Sequence, residues 1–367
     1  MNFLFFAGGA SVNGMEIVLH SLMAGLNERG HRAAAIVSGW NNGDYPRMLR
    51  DSAIEHREIE LGRIHLLRPN WTRGTYYSLP KAIDDIRAFV GEVQPDWMIF
   101  SEPQSLLLCS YILPSVQKAL YLHSRPERFL THVLGGLIRR RIGRLICVSD
   151  FVAQCARKTP LRRAELAVVH NGISSPRADW PSSVQLPVRL GIVGGLGHQK
   201  QHLTLMQAVA RLKGRLPAGS FRLVIVGNRQ GSYVDKVEAR IGDLGIQDVV
   251  SWTGFIKDRD EIYGGLDILV APAINEGFGL TVAEAGAYGR PSVAARSGAF
   301  PEVVQEGRTG LLFKPGDAGE LAQVLERLIL DGELRRGMGQ AARSFVRPTF
   351  TVDRMTERFI GALGGVA

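Results

Sequence analysis

Apolar residues in this chain gather in short runs separated by longer, mixed segments. FLFFA, AAAIV, WMIF, ALYL and RLICVS punctuate the first half, and RLGIVGG, FRLVIVG, VVSWTGF, DILVAPA and PSVAA the second. The mixed segments have a helical period. After the first run, Met15, Val18, Leu19, Leu22, Met23 and Leu26 follow i, i+3, i+4, i+7 spacing, which puts them on one face. Gly30 then supplies a stop. Segments around HLTLMQAVARL and VDKVEARIGDLG repeat the arrangement, and a last helical run, FTVDRMTERFIGAL, follows Pro348. Short buried strands alternating with amphipathic helices predict parallel sheets covered on both faces.

Both periods fail at SSPRADWPSSVQLPVR, residues 174–189, where three prolines and four serines predict a linker. At roughly 150 residues per domain, a chain of 367 residues favours two domains. The expected fold is therefore α/β: two Rossmann-like domains, 1–178 and 186–347, with parallel sheets facing across a cleft. Such sheets bind ligands beyond the carboxyl ends of their strands, so the loops after FLFFA, GIVGG, VIVG and VAPA are the places to search.

Composition narrows the class. Hydrophobic residues at 45% and charged residues at 22% are ordinary for a globular protein. No apolar run approaches the ~18 residues of a membrane span, and MNFLFFAGGAS reads as a strand and loop, not a signal peptide. Cys109, Cys147 and Cys155 lack metal-ligand spacing and read as reduced packing residues of a cytoplasmic protein. The net charge of +9 implies anionic partners, although no nucleic-acid reader module is present. Much of the surplus is local: Arg139, Arg140, Arg141, Arg144, Arg157, Lys158, Arg162 and Arg163 stand against Asp150 alone. A membrane surface, a phosphorylated acceptor or a plain solvated face would each suit that block.

The richest chemistry lies in NEGFGLTVAEAGAYGRPSVA, residues 275–294. Thr281 and Glu284 have the spacing of a capping box, which is one account of Glu284. It leaves Glu276 unexplained. The loop Gly277, Phe278, Gly279, Leu280 and the helix start at Thr281 would offer main-chain N–H groups to a phosphate. Two flanking carboxylates would accept from sugar or ribose hydroxyls. Lys200, just past a glycine turn, could offset charge on a leaving diphosphate or be a solvated helix-start residue. The loop GGASVNGME has glycines suited to close ligand approach or to a plain turn. A nicotinamide site would need an acid about 20 residues past such a turn, and neither Ser38-Gly39 nor Gly227-Asn228 supplies one. His123 closes an apolar strand, as a hydrogen-bond donor, a proton handler or a satisfied structural histidine.

These segments resemble the core motif of family-4 glycosyltransferases, retaining enzymes of the GT-B fold. The likeness rests on NEGFGLTVAEAGAYGRPSVAARSGAFPEVV, with HNGI, HQKQHLTLMQAVARL, LVIVGN, VSWTGF and EGRTGLLFKPGD. It is thinner in the first domain, at NGMEIVLHSLMAGLNERGH, LYLH and ICVSDFVA. The resemblance implies that Glu276 contacts the donor sugar and the charge developing at its anomeric carbon. Glu284 would hold the ribose, and Lys200 and the N–H groups from Phe278 to Thr281 the diphosphate. Gly14 would let its loop approach the donor, and Phe255 and Ile256 would border the base. His123 would reach the sugar from the facing domain, and a final helix, 351–367, would pack back onto the first domain. The family works without a metal ion, which fits a chain expected to hold neither an Asp-x-Asp pair nor a histidine cluster, so none is expected. Two departures stand out: Gly195 occupies the position of a family arginine, and Thr281-Val282 replaces a frequent double proline, without consequence if Thr281 caps the helix.

The expected activity is transfer of a hexose-type sugar from a UDP or GDP sugar to a hydroxyl of a glycan or lipid-linked glycan, with retained configuration. No cofactor beyond the donor is expected. Cell-surface polysaccharide or lipopolysaccharide synthesis is the expected setting, at the cytoplasmic face of the membrane. GRIHLLRPNWTRGTYYSLPK interleaves Arg63, Arg68 and Arg73 with Trp71 and further aromatics, a pattern fit for an anionic acceptor. A nucleotide-sugar epimerase of the same fold and a non-catalytic partner of another glycosyltransferase are the alternatives.

Overall fold

Two α/β units, each built on one parallel sheet, make up the chain: Met1–Gly172 with Val352–Ala367, and Ile173–Thr351. The computed structural model describes residues 1–7, 9, 11–39, 41–60, 69–126, 128–177 and 186–364, with backbone alone for 69–78 and 128–133. Half of the expected linker, 178–185, thus lies outside the described residues.

The first unit contains β1 (Asn2–Ala7), β2 (Arg32–Ser38), β3 (Glu55–Ile59), β4 (Trp97–Phe100), β5 (Gln117–Leu122), β6 (Arg144–Cys147) and β7 (Leu166–Val168), in the order β3-β2-β1-β4-β5-β6-β7. The apolar runs are its central strands. Phe3, Leu4 and Phe5 are fully buried, because helices cover both faces. Helix Gly14–Glu28 follows β1 and begins with a capping box, in which the Asn13 side chain accepts from Met15 N–H and Glu16 accepts from Asn13 N–H. Helix Val352–Ala362 packs against it, with Gly25 beside Thr356 and Arg29 2.8 Å from Asp353. Its Phe359 meets the rings of Phe3, Phe5 and Tyr121 at 5.8–5.9 Å between centroids. Cys109 and Cys147 are buried and unpaired, and burial pushes both thiols up to about 12.

The second unit contains β8 (Val188–Val193), β9 (Phe221–Val226), β10 (Val250–Gly254), β11 (Ile268–Ala271), β12 (Ser292–Ala295) and β13 (Gly310–Phe313). Their order, β10-β9-β8-β11-β12-β13, is the doubly wound 3-2-1-4-5-6 pattern. Leu190, Ile192, Leu223, Ile225, Ile268 and Val270 join Leu205 and Val209 of helix His202–Lys213 in one core. At the amino ends of β8 and β11, Arg189 donates twice to the buried Asp267, at 3.0 and 2.9 Å. A buried carboxylate needs such pairing, since removing one partner strands a charge at a cost of about 3–5 kcal/mol.

Among the described residues, no helix is long and apolar enough to cross a membrane.

Candidate functional site

In the second unit the strand order reverses between β8 and β11, which are hydrogen-bonded neighbours. The loops leaving their carboxyl ends therefore diverge around a crevice, the usual ligand site of such sheets. The loop after β8 carries Lys200, and the loop after β11 carries Glu276. They are tied by Ile274 N–H donating to Gln199 O at 2.9 Å. Between them lies a narrow niche lined by Val193, Lys200, Ala273, Thr281 and Phe300.

Glu276 is placed by its backbone. Asn275 before it has φ 56°, an uncommon left-handed conformation, and its N–H donates to Ser297 Oγ at 3.0 Å. Glu276 O accepts from Ala299 N–H at 2.9 Å. Gly298, at φ +63°, lies so close that an added Cβ would come 2.4 Å from Glu276 O and 2.5 Å from its N. Only glycine fits there. So held, the Glu276 carboxylate meets Lys200 Nζ at 2.9 Å, both side chains being partly exposed.

The helix that follows begins differently from expectation. It spans Leu280–Ala287 with Gly279 as N-cap, and no side chain caps it. Thr281 is already helical, so the capping box that was one account of Glu284 does not form. Gly279 makes the turn instead, at φ +97°, a left-handed backbone that disfavours a side chain, with the Phe300 ring 3.0 Å from where a Cβ would stand. The first intrahelical bonds go to Val282 and Ala283, so Leu280 and Thr281 N–H face the open end beside the niche. Phe278 is buried edge-on against Phe350, 5.4 Å between centroids, and anchors the loop.

Glu284, freed from capping, lies in a polar cluster. Oε1 accepts from Arg259 Nε at 2.7 Å and Oε2 from Tyr263 OH at 2.5 Å. Asp258, Arg259 and Asp260 form an Asp-x-Asp pair, a spacing able to bridge a divalent cation. Here Arg177 donates to both aspartates, and Tyr288 OH donates to Asp260 at 2.6 Å. This pair corrects the expectation that the chain holds no Asp-x-Asp spacing, and Arg259, Tyr263, Asn275 and Gly298 are not among the sequence candidates. Of these, the Asp-x-Asp spacing and the glycine after Ser297 were the visible signals.

The remaining candidates sit as follows. Gly195, in the loop after β8, is exposed, with nothing within 4 Å of an added Cβ. Phe255, 69% exposed, and the half-buried Ile256 follow β10. In the first unit, Gly14 opens its helix just beyond the loop after β1. His123 follows β5, its ring 4.3 Å from that of Tyr121, and its Nε2 is shielded from solvent without a hydrogen-bond partner. Burial lowers its pKa from 6.5 to about 3. The imidazole is thus held neutral near pH 7, which suits it to hydrogen bonding. Arg63 and Arg68 lie outside the described residues. Trp71 and Arg73 fall on helix Pro69–Val93, which contains Pro80, with their side chains outside the description.

The basic block forms one edge of the first unit. Arg140, Arg141, Arg157, Lys158, Arg162 and Arg163 are exposed, and Arg139 and Arg144 half-buried. Arg144 pairs with Glu165. The Arg141 guanidinium lies 5.1 Å from the ring centre of Tyr111, itself 63% exposed.

Comparison with known proteins gives a consistent picture. Residues 186–345 match the family model "Glycosyl transferases group 1" and residues 12–177 match "Glycosyltransferase Family 4". A D-inositol 3-phosphate glycosyltransferase of Corynebacterium jeikeium is 36% identical over 163 residues, 42% of this chain and 38% of the relative. One from Arthrobacter sp. is 30% identical over 227 residues, 56% and 54% of the two chains. The match thus spans about two fifths to one half of these relatives' length. Among solved structures, Anabaena HepE in complex with UDP and glucose has a TM-score of 0.80 at 20% identity, covering 100% of both chains. The lipopolysaccharide outer core galactosyltransferase WaaB has 0.75 at 19%, covering 99% of both. At such identities these structures establish the fold.

Proposed function

Since the chain belongs to the family-4 type of glycosyltransferases, with the GT-B fold, we propose that it moves a hexose-type sugar from a nucleoside diphosphate to an acceptor hydroxyl, retaining configuration. The observation that carries this is the meeting of Lys200 and Glu276 at the switch point of the second sheet, with Glu284 one helix turn beyond the N–H groups of Leu280 and Thr281. A cation, open N–H groups and two carboxylates match the charge sequence of diphosphate, sugar and ribose.

The acceptor oxygen attacks the anomeric carbon on the face the diphosphate leaves. The carbon–oxygen bond to the diphosphate breaks, and the departing oxygen takes the acceptor's proton. Lys200 and the helix N–H groups offset the charge that develops on the leaving group. Glu276 faces the developing positive charge at carbon. We propose that no metal is needed; the engagement of Asp258 and Asp260 by Arg177 supports this. Unchanged turnover in a chelator is the expected outcome.

A UDP donor is favoured because HepE is a UDP-bound neighbour. The acceptor we propose is an anionic glycan or lipid-linked glycan reached at an anionic membrane face. The exposed basic edge supports this, as do relatives named for D-inositol 3-phosphate, an anionic polyol. Thermal unfolding with millimolar UDP, GDP, ADP and NAD tests the donor site. A ligand at 100 times its Kd adds about 2.7 kcal/mol of stability. A shift with UDP or GDP alone is expected; a shift with NAD alone would overturn the proposal. With no shift from any, a non-catalytic partner role would replace it, for which the unfilled Gly195 position is the specific observation.

A further inference from the structure

The cluster behind Glu284 pairs its charges selectively. Three carboxylates, two arginines and two tyrosines meet there, and the arginines do not mix partners in the hydrogen bonds they make. Arg177 takes Asp258 and Asp260, Tyr288 adds a second donor to Asp260, and Arg259 is left to Glu284 although it lies between the two aspartates in sequence. Tyr263 is fully buried, its ring 5.2 Å from that of Tyr288, and its carbonyl accepts from the buried Arg290 Nε at 2.9 Å. The tyrosine is therefore gripped at its backbone and along its ring, with only the hydroxyl pointing at the carboxylate. Burial and then the Glu284 charge hold that hydroxyl well above its ordinary pKa, so it remains a donor at any working pH.

A carboxylate has about four lone-pair sites, and each Glu284 oxygen has given one to the cluster. We propose that Arg259 and Tyr263 are positioning residues, which fix the Glu284 carboxylate so that its remaining lone pairs receive the two adjacent hydroxyls of a nucleoside diphosphate's ribose. This rests on the donor site proposed above and adds the residues that aim it. Arg290, in the Gly289-Arg290-Pro291 turn, acts one step further back by holding Tyr263.

The test is calorimetric binding of UDP, 2′-deoxy-UDP, GDP and 2′-deoxy-GDP to the full chain and to Tyr263→Phe and Arg259→Lys. Tyr263→Phe keeps the packed ring; Arg259, partly exposed, serves as a second variant that does not touch the core. The melting point without nucleotide checks that each variant folds. The full chain is expected to prefer the ribonucleotide by about tenfold or more, the worth of hydrogen bonds to a charged group. Both variants should lose most of that preference, with ribonucleotide affinity falling about tenfold and deoxynucleotide affinity holding within about twofold. A packing role alone would weaken both ligands together. Variants that keep the full preference would overturn the proposal. Equal binding of ribo and deoxy forms by the unaltered chain would refute the ribose contact while leaving sugar transfer standing. Binding of neither UDP nor GDP would remove the donor site and this inference together.

Discussion

Lys200 and Glu276, 76 positions apart, are each other's partners: Nζ lies 2.9 Å from Oε2. In the proposed reaction the lysine serves the diphosphate and the acid serves the sugar, so an incoming donor competes with this ion pair. A partly exposed pair is worth about 0.2–1 kcal/mol, small against binding but measurable. Glu276→Gln is therefore expected to bind UDP or GDP as well as before or up to about fivefold tighter. Its turnover should fall by about 10²-fold or more. Lys200→Met should lose both. If Glu276→Gln weakened nucleotide binding as much as Lys200→Met, the competition would be refuted.

The close approach of Gly298 to Glu276 makes a second prediction. Gly298→Ala combines a left-handed backbone with a clash against the Glu276 backbone, whereas Gly307, at φ +74°, has open space around an added Cβ. Both alanines should cost about 1–3 kcal/mol in chemical denaturation through backbone strain. Only Gly298→Ala should also lower turnover, by about 10²-fold if Glu276 moves by an ångström. Equal turnover in the two variants would show that Glu276 needs no such placement.

Acid should destabilise each unit, most strongly through His123 in the first, where His20 and His31 are lowered too, and through His202 in the second. Burial lowers His123 to about 3, and burial followed by the Lys200 charge lowers His202 to about 4, both from 6.5. Above pH 6.5 neither folded nor unfolded forms are protonated, so these residues contribute no pH dependence. Below it the unfolded chain binds protons that the native chain refuses, and stability falls with pH. The slope reaches about 1.4 kcal/mol per pH unit per histidine, down to about pH 3 for His123 and pH 4 for His202. Urea midpoints at pH 7.5 and 5 should therefore separate more for the native chain than for His123→Gln or His202→Gln. Identical separations would place both imidazoles in contact with water.

Gly195→Arg should strengthen the donor site. The position is exposed, lies in the same loop as Lys200, has no positive φ and leaves a side chain free space. Charge-assisted hydrogen bonds to a diphosphate should lower its Kd about five- to tenfold, with stability changed by no more than about 0.5 kcal/mol. Unchanged affinity would mean that the diphosphate lies away from this loop.

The proposed contact with an anionic membrane face should reside in the exposed basic edge. Each surface Lys or Arg is worth about 1 kcal/mol against anionic lipid. Replacing Arg140, Arg141, Arg162 and Arg163 by alanine should cut binding to phosphatidylglycerol vesicles by on the order of 10³-fold at low salt. Neutral vesicles should bind neither form. Equal recovery of both forms on anionic vesicles would eliminate this surface as the contact.

Strand positions were readable because the period-free apolar runs could be satisfied only in a sheet buried on both faces, and FLFFA, ILVA and SVAA lie there. Glu276 stood out because an acid between buried strands and a glycine loop has no packing reason to exist. Which residue starts the next helix is not legible in the sequence, for a physical reason. Thr281 has the residue type of a cap, but the chain turns at Gly279, whose left-handed φ and close Phe300 ring favour glycine. That contact joins residues distant in sequence and leaves no local signal. The same holds for Arg259 and Tyr263: their spacing is that of any polar helix, and only the fold brings them to Glu284.

The first unit needs both ends of the chain. Phe3, Phe5 and Tyr121 have been synthesised long before Phe359, which closes over them, and all of residues 173–351 must emerge in between. During synthesis the usual N-terminal-first order is therefore open to reversal, the second unit before the first. All of the second unit is synthesised while Phe3, Phe5 and Tyr121 still lack the Phe359 ring that packs against them.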